Sequence, residues 1–429
     1  MKTSDFSSKQ IAVIGLGFVG LPLSIALTEK GFKVVGIDVN QQKIKQLQAG
    51  ESYIPDISND QIKNAIGKKI FFASNDYDHI KSADVILICV PTPLSDHRTP
   101  DLTYVIDVAY RISPVLQKDQ IIVLESSTYP GTTREVLLPI LEKSGLRAGS
   151  DFHLGYSPER IDPGTKMMEM EETPKIVSGL SSICLDKVTE IYRKIYKNIV
   201  PVSSLETAEI TKLLENTFRF INISFINEFA KICDEMGIDV WETIDAASTK
   251  PYGYTPFYPG PGIGGHCIPI DPLYLQWKIS NYEMSSSFIK AADEINENIP
   301  AYIANRIQDL PFGNKSPKIL LYGVTYKKDV NDIRDSKAVE IFTQLMQRGI
   351  DVRYHDPFVS KIEIKNKTIV STPLTPKVLD EMDCIVILTD HSNMPLEMIL
   401  EHSSLVFDTR NAVRGKNGKA KVIKLGGGK

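Results

Sequence analysis

Ile11-Ala-Val-Ile14 runs directly into Gly15-Leu-Gly17-Phe-Val-Gly20, and the stretch from Leu21 to Lys30 that follows has helical composition. A short apolar run, a loop with three spaced glycines and a helix make the first half of a βαβ unit. The first glycine turns the chain, the second lets backbone approach a pyrophosphate, and the third lets helix and strand pack closely. Lys33-Val-Val-Gly-Ile37 is the second strand, and Asp38 closes it. A carboxylate at that place accepts hydrogen bonds from ribose hydroxyls and repels a 2′-phosphate, which points to NAD rather than NADP. The alternative is a glycine turn and a capping Asp with no ligand.

Working outward, apolar runs at Val85–Val90 and Ile121–Leu124 alternate with helical stretches and predict a parallel sheet covered on both faces. From about Leu205 to Met236 no Gly or Pro occurs, and Leu213, Leu214, Phe218, Ile221, Phe225, Ile226 and Phe229 recur at helical spacing. At 1.5 Å per residue that is a helix of about 45 Å, too long for a βαβ connector. A loop rich in Gly and Pro, Pro251 to Pro272, precedes a second helical run from about Ser285 to Gln308. After a linker at Pro311 to Pro317, strands at Ile319–Tyr322, Asp351–Tyr354, Cys384–Leu388 and Leu405–Phe407 and a helix at Ser336–Arg348 repeat the first pattern. Asp84 after Ala83 and Asp383 after Met382 occupy similar places in the two strand orders.

The expected fold is therefore α/β: two doubly wound, Rossmann-like domains joined by a helical middle domain with a long spine helix. The expected boundaries are 1–203, 204–312 and 313–429. The apolar side chains of the spine predict a homodimer or higher homo-oligomer. The Lys- and Gly-rich tail from Arg414 is expected to fray.

The 429 residues, 42% hydrophobic and 24% charged, fit an ordinary globular protein. A net charge of −4 supplies no basic field for nucleic acid. Five cysteines with no CxxC pair imply neither a zinc cluster nor a complete disulfide framework, and no metal site is expected. No apolar stretch is long enough for a membrane span, and the polar first nine residues do not read as a signal peptide. A cytoplasmic, reducing compartment fits best.

Thr92, in Pro91-Thr-Pro93, and Thr128, in Ser126-Ser-Thr128, follow strand ends where open α/β sheets bind ligands. Each is either a ligand contact or a helix cap. Cys89, Cys233 and Cys384 fall within strand or helix runs and read as small buried hydrophobes. Cys267 stands instead in Gly260-Pro-Gly-Ile-Gly-Gly-His266-Cys267-Ile-Pro-Ile-Asp271, a rigid loop in which a thiol is either a nucleophile or merely buried. His266 reads as structural, while Asp271 either orients a water or caps the following segment. Lys212, Asn216 and Arg219 share one helix face, which marks either a site or solvent. Glu159, in Tyr156-Ser-Pro-Glu-Arg160, is a base or a salt-bridge partner.

On these residues the chain resembles the nucleotide-sugar 6-dehydrogenase family, which includes the UDP-glucose and GDP-mannose dehydrogenases. The resemblance runs from Ile11 to about Arg410 and rests on ordered motifs: Gly15-x-Gly-x-x-Gly20 with Asp38, Pro91-Thr-Pro93, Tyr156-Ser-Pro-Glu159, Lys212-x-x-x-Asn216, and Gly264-Gly-His-Cys267-x-Pro-x-Asp271. Gly323-x-x-Tyr326-Lys327 and Asp332-x-Arg334-x-Ser336 complete it. The resemblance implies NAD as cofactor, touched by Gly15, Gly17, Val19, Gly20, Asp38, Lys43, Thr92, Thr128 and Arg334. It implies a UDP-sugar as substrate, held by Arg219, Tyr258, Gly264, Tyr326 and Lys327. It also implies that Cys267 is the nucleophile of a second oxidation, that Lys212, Asn216 and Asp271 polarise the reacting oxygen or its water, and that Glu159 acts as base or positions the ligand.

Ile270 stands where UDP-glucose dehydrogenases typically have Lys, and the run Pro256 to Gly262 with His266 to Asp271 is most similar to UDP-N-acetylglucosamine 6-dehydrogenases. The expected reaction is a four-electron oxidation of a UDP-N-acetylhexosamine at C6. UDP-N-acetylglucosamine comes first, with UDP-N-acetylmannosamine, UDP-N-acetylgalactosamine and UDP-glucose as alternatives. The loop glycines are expected to leave room for the acetamide. Two rivals remain: a two-electron hydroxyacid dehydrogenase in which Cys267 is structural, and a non-catalytic NAD-dependent binding protein.

Overall fold

Apolar runs buried on both faces need helices above and below, and the chain supplies them in alternation. The structure is a computed structural model describing residues 9–54, 57–160, 171–312 and 316–428, so part of the linker expected at Pro311–Pro317 lies outside the described residues. By internal contacts the chain divides into two compact units, residues 1–215 with 270–285, and residues 216–269 with 286–429.

The first unit is built on an eight-stranded sheet in the order β3-β2-β1-β4-β5-β6-β7-β8. The strands are β1 Gln10–Ile14, β2 Lys33–Ile37, β3 Phe71–Ser74, β4 Val85–Ile88, β5 Ile121–Leu124, β6 His153–Tyr156, β7 Lys175–Gly179 and β8 Ile199–Pro201. β4 and β5 are buried at every position. Their alternate side chains feed two apolar clusters, one containing Leu87 and Val123 and the other Ile86 and Ile122.

Sequence alone predicted a wholly parallel sheet, but β7 runs antiparallel to β6, pairing Gly155 with Gly179 and Tyr156 with Ser178. β8 then follows β7 in parallel. The reversal relies on glycine: a Cβ at Gly155 would lie 2.7 Å from the Ser178 carbonyl oxygen, and one at Gly179 would lie 2.2 Å from the Leu185 amide nitrogen. Because of it, β7 starts at the edge of the sheet where β5 and β6 end.

The spine helix spans Leu205–Met236, as its uninterrupted periodicity predicts. The second unit holds a five-stranded parallel sheet in the order β10-β9-β13-β14-β15, with β9 Lys318–Tyr322, β10 Asp351–His355, β13 Cys384–Ile387, β14 Leu405–Asp408 and β15 Lys421–Lys424. A hairpin of β11 Lys361–Ile364 and β12 Lys367–Val370 branches off.

The two sheets repeat each other atom for atom at two corners. Gly15 N donates to Ile37 O and Gly323 N to His355 O, both at 2.8 Å. Asp84 accepts from Gln10 N at 2.9 Å, and Asp383 from Lys318 N at 2.8 Å.

The tail does not fray. β15 pairs with β14, Val240 N donates to Gly426 O at 2.7 Å, and Trp241 Nε1 donates to Leu425 O at 2.8 Å. The Lys424 ammonium pairs with Asp239, the N-cap of the helix Val240–Ser248. Composition misleads here because the glycines admit close packing: a Cβ at Gly426 would lie 2.4 Å from Val240 Cγ1.

Candidate functional site

In the first unit, Gly15 adopts φ +92°, and a Cβ on it would lie 2.7 Å from Cys89 O. A Cβ on Gly20 would lie 1.9 Å from Gly15 O, so strand, loop and helix meet at a distance that no other residue permits. Gly17 is different. A Cβ there would meet nothing within 4 Å, which leaves open space in front of its backbone. Val19 precedes the helix Gly20–Glu29 without a side-chain cap; Leu21 N already donates to Gly17 O at 3.1 Å and Pro22 carries no N–H, so what this helix end offers a ligand is chiefly its partial positive charge.

Asp38 is 9% exposed and accepts from Leu16 N and Asn40 N, both at 2.9 Å, while Lys43 Nζ stands 3.5 Å away. Its carboxylate thus fixes the glycine loop and retains lone pairs for a further donor. Tyr53, which sequence reading missed, ties the loop from another side by donating to Leu16 O at 2.5 Å. Thr92 and Thr128 are buried and cap no helix, since the helices after them start from Leu102 and Gly131. Among the described residues Thr128 Oγ1 makes no hydrogen bond of good geometry, and its polar neighbour is the Tyr156 hydroxyl, which is likewise unbonded. Open space at Gly17 and an orphaned hydroxyl at a strand end are what a dinucleotide needs from the corner.

The Tyr156–Arg160 loop follows β6 in the same unit. Glu159 Oε1 accepts from Arg160 N at 2.7 Å, and Glu159 Oε2 lies 3.2 Å from Lys175 Nζ. Lys175 Nζ also bonds Glu125 Oε2 at 2.6 Å, with side-chain exposures of only 2% and 0%. Removing one partner from such a buried pair leaves an uncompensated charge and costs on the order of 3–5 kcal/mol. Burial raises the Glu125 carboxyl against the pull of Lys175, and the two carboxylates hold Lys175 charged in spite of its own burial. Neither Glu125 nor Lys175 figured in the sequence reading. The available signal was a charged residue on the flank of each apolar run.

Arg160 pairs with Glu215 on the spine helix at 2.6 Å, and both side chains stay partly exposed. Lys212, less than one turn earlier, is half-buried and makes no hydrogen bond or ion pair among the described residues. Asn216 is buried, whereas Arg219, expected on the same face, is exposed. Asp271 is 3% exposed and opens the helix Asp271–Ser280. Just before it, Ile270 packs with Leu102, Tyr129, Leu213 and Tyr274.

The cysteine loop to Pro269 belongs to the second unit. Cys267 is exposed and the other four cysteines are buried. Gly265 N donates to Arg334 O at 3.0 Å. The glycines do not leave the expected room for an acetamide, because the space at a Cβ is already filled. It would lie 2.6 Å from Arg410 Nη1 at Gly260, 2.5 Å from Asp335 O at Gly264 and 2.7 Å from the Tyr326 ring at Gly265. The glycines instead press the loop onto Tyr326, Arg334, Asp335 and Arg410, and the last two were missed in the sequence. Lys327 follows Tyr326 in the loop after β9, where its carbonyl accepts from Thr325 at 2.8 Å.

Asp332 grips Arg334 through both oxygens, with contacts of 2.6 to 3.1 Å. Burial opposes the Arg334 charge, but the Asp332 bonds and the neighbouring Tyr326 and Cys267 raise it above its ordinary value. Burial and the Arg334 charge together hold His266 below its ordinary value, so its imidazole is neutral near pH 7. The loop therefore sets an exposed thiol beside a fixed cation, an environment that favours thiolate. Tyr258 stacks on Trp241 with ring centroids 6.2 Å apart. Among the described residues no cluster of His, Cys, Asp or Glu suits a metal, and no helix is long and apolar enough to cross a membrane.

Models of the UDP-glucose/GDP-mannose dehydrogenase family match three successive parts of the chain: the NAD binding domain over residues 9–200, the central domain over 206–298 and the UDP binding domain over 320–415. A UDP-N-acetyl-D-mannosamine dehydrogenase of Methanococcus maripaludis is 35% identical, covering 100% of this chain and 99% of its own length. A UDP-N-acetyl-D-glucosamine 6-dehydrogenase of Pseudomonas aeruginosa is 36% identical, covering 91% and 93%. The solved structure of UDP-D-ManNAc dehydrogenase from Pyrococcus horikoshii superposes with a TM-score of 0.86 at 32% identity, covering 97% and 99%.

Proposed function

Since the chain belongs to the UDP-glucose/GDP-mannose dehydrogenase family of NAD-dependent UDP-sugar 6-dehydrogenases, we propose that its substrate is a UDP-N-acetylhexosamine, with UDP-N-acetylglucosamine first, oxidised at C6 to the uronate. The observation that carries the four-electron chemistry is the exposed Cys267 on its glycine loop beside Arg334. NAD bound at the Gly15–Gly20 corner would accept the hydride of the first oxidation, and a second NAD that replaces it the hydride of the second. Asp38 receives ribose hydroxyls, Lys43 stands beside it, and Thr128 supplies its orphaned hydroxyl. The Cys267 sulfur adds to the C6 aldehyde left by the first oxidation, giving a thiohemiacetal that the second oxidation turns into a thioester. Water, oriented by Asp271 or Glu159, then releases the uronate and returns the thiol. Covalent capture keeps the aldehyde on the enzyme between steps. Lys212 and Asn216 stabilise the oxyanion as it develops.

An N-acetyl sugar is supported by the names of relatives at 35% and 36% identity, of which one is a mannosamine and the other a glucosamine enzyme. The glucosamine choice rests on the sequence of the cysteine loop. Ile270 bears on it by placing an apolar core residue where a cation would otherwise project. A site fitted to the acetamide is expected to favour UDP-N-acetylglucosamine over UDP-glucose by more than the 10- to 200-fold that about 1–3 kcal/mol of pocket filling gives. The test is kcat/KM for UDP-glucose and the three UDP-N-acetylhexosamines, with NADH counted per sugar. Two NADH per sugar are expected. One would favour the hydroxyacid-type rival, none the non-catalytic one, and UDP-glucose in first rank would remove the N-acetyl assignment.

Assembly follows from the spine helix, where Ile210, Leu214, Phe218 and Phe225 are 44% to 66% exposed and recur at spacings of four and seven. Such a stripe is expected to be covered by a second copy of the chain. A monomeric mass in light scattering at micromolar concentration would rule this out.

A further inference from the structure

Lys175 is fully buried, and no step of the proposed chemistry employs it. Its ammonium lies between Glu125 and Glu159 and stands 5.4 Å from the ring centroids of both Tyr192 and Tyr196. Tyr192 donates its hydroxyl to the second oxygen of Glu125. One carboxylate is thus locked from two sides and serves as the anchor of the cation, while the cation reaches the other. The sheet alone does not demand a charge here. At the same end of the sheet β4 and β5 finish on Ile88 and Leu124, and a buried ion pair is weak evidence for stability, because apolar replacements often hold a fold as well.

What the arrangement does supply is position. The reversal of β7 delivers it: continuing the Tyr156–Ser178 register by three residues brings Lys175 level with Glu159. A parallel β7 would have started at the opposite edge of the sheet. Glu159 then has one oxygen held by Arg160 N and the other by Lys175, so its carboxylate plane cannot turn.

We propose that Lys175, anchored by Glu125 and Tyr192, is a positioning residue that sets the orientation of the Glu159 carboxylate during turnover. The proposal rests on the reading of Glu159 as a site residue. A carboxylate that orients a water or a sugar hydroxyl acts only within a narrow range of directions, and a displacement of about 1 Å can cost on the order of 100-fold in rate.

The test uses the full-length enzyme with NAD and the best substrate of the sugar panel. Lys175→Met/Glu125→Gln removes cation and anchor charge together. Its kcat is expected to fall roughly 10- to 100-fold, with KM for NAD within about threefold, since displacement of a reacting group shows in turnover rather than in cofactor affinity. Glu159→Gln is expected to show a loss of similar size, and the triple variant to be no worse than the weaker of the two, because groups that act as a unit are not additive. Lys175→Arg, which restores a cation, is expected to recover most of the loss.

A wild-type kcat in the Lys175/Glu125 variant alongside an impaired Glu159→Gln overturns the proposal and leaves the reading of Glu159 standing. So do losses that multiply in the triple variant. A wild-type kcat in Glu159→Gln overturns that reading and the proposal with it. If the Lys175/Glu125 variant shows no cooperative unfolding transition, Glu125→Gln decides instead: it keeps Lys175 and the shape of the anchor, and a wild-type kcat there overturns the proposal.

Discussion

Cys267→Ser is expected to abolish steady uronate formation, a loss of three orders of magnitude or more on the scale of roughly 10⁶-fold seen when an enzyme nucleophile is removed. Binding of the UDP-sugar and of NAD is expected to stay within a few fold. Serine has nearly the size of cysteine, and the loop is held by Gly265 N on Arg334 O and by close glycine packing, neither of which involves the side chain at 267. What is lost is a thiol whose thiolate the clamped Arg334 cation favours, and a serine hydroxyl is a far poorer nucleophile at neutral pH. The first oxidation needs no thiol, so at most one NADH per sugar is expected, without thioester. Product mass and NADH count check this together, and uronate made at the wild-type rate would take Cys267 out of the chemistry.

The second large effect is expected at Lys212. Lys212→Ala should lower kcat by about 100- to 1,000-fold, the cost of deleting one donor aimed at a developing oxyanion, with a much smaller change in KM. The ground for this is electrostatic. Neighbouring charges on the first turns of the spine are spoken for: Glu206 pairs with Arg134, Glu215 pairs with Arg160, and Glu209 accepts from the backbone of Gly131 and Thr133. Lys212 is half-buried and has no such partner among the described residues. A half-buried ammonium without a counter-ion is suited to an anion that arrives only with the reaction. Steady-state kinetics on both substrates separates the cases, and an unchanged kcat would return Lys212 to the role of a solvated side chain.

The glycine corner was legible in the sequence because everything that fixes it is local. Gly15, Gly17, Gly20 and Asp38 each answer a requirement set within one βαβ unit. The spine was legible for a similar reason, since its helical period runs unbroken from Leu205 to Met236.

The Glu125–Lys175–Glu159 cluster was not legible. Glu125 and Lys175 stand 50 residues apart in the chain, and each looks like an ordinary charge at a strand end. Their meeting depends on the direction of β7, and Lys175-Ile-Val-Ser-Gly179 reads equally well in either direction. The role of the loop glycines was misjudged for a related reason. A glycine reports that a side chain is not tolerated, but not whether ligand or protein fills the space, and here Tyr326, Asp335 and Arg410 do.

The docked tail bears on how the second unit comes into being during synthesis. The helix Val240–Ser248 receives Leu425 and Gly426 against its first turn, and Trp241 is bonded to a carbonyl 184 residues later in the chain. Trp241 therefore waits for a residue made 184 positions later before its indole N–H finds its partner. Long-range closures of this kind are slow and leave apolar surface exposed meanwhile. The surface that waits includes Trp241, Ile244 and Ile226, which ties the survival of the nascent chain to the speed at which the Leu425–Gly426 segment leaves the ribosome.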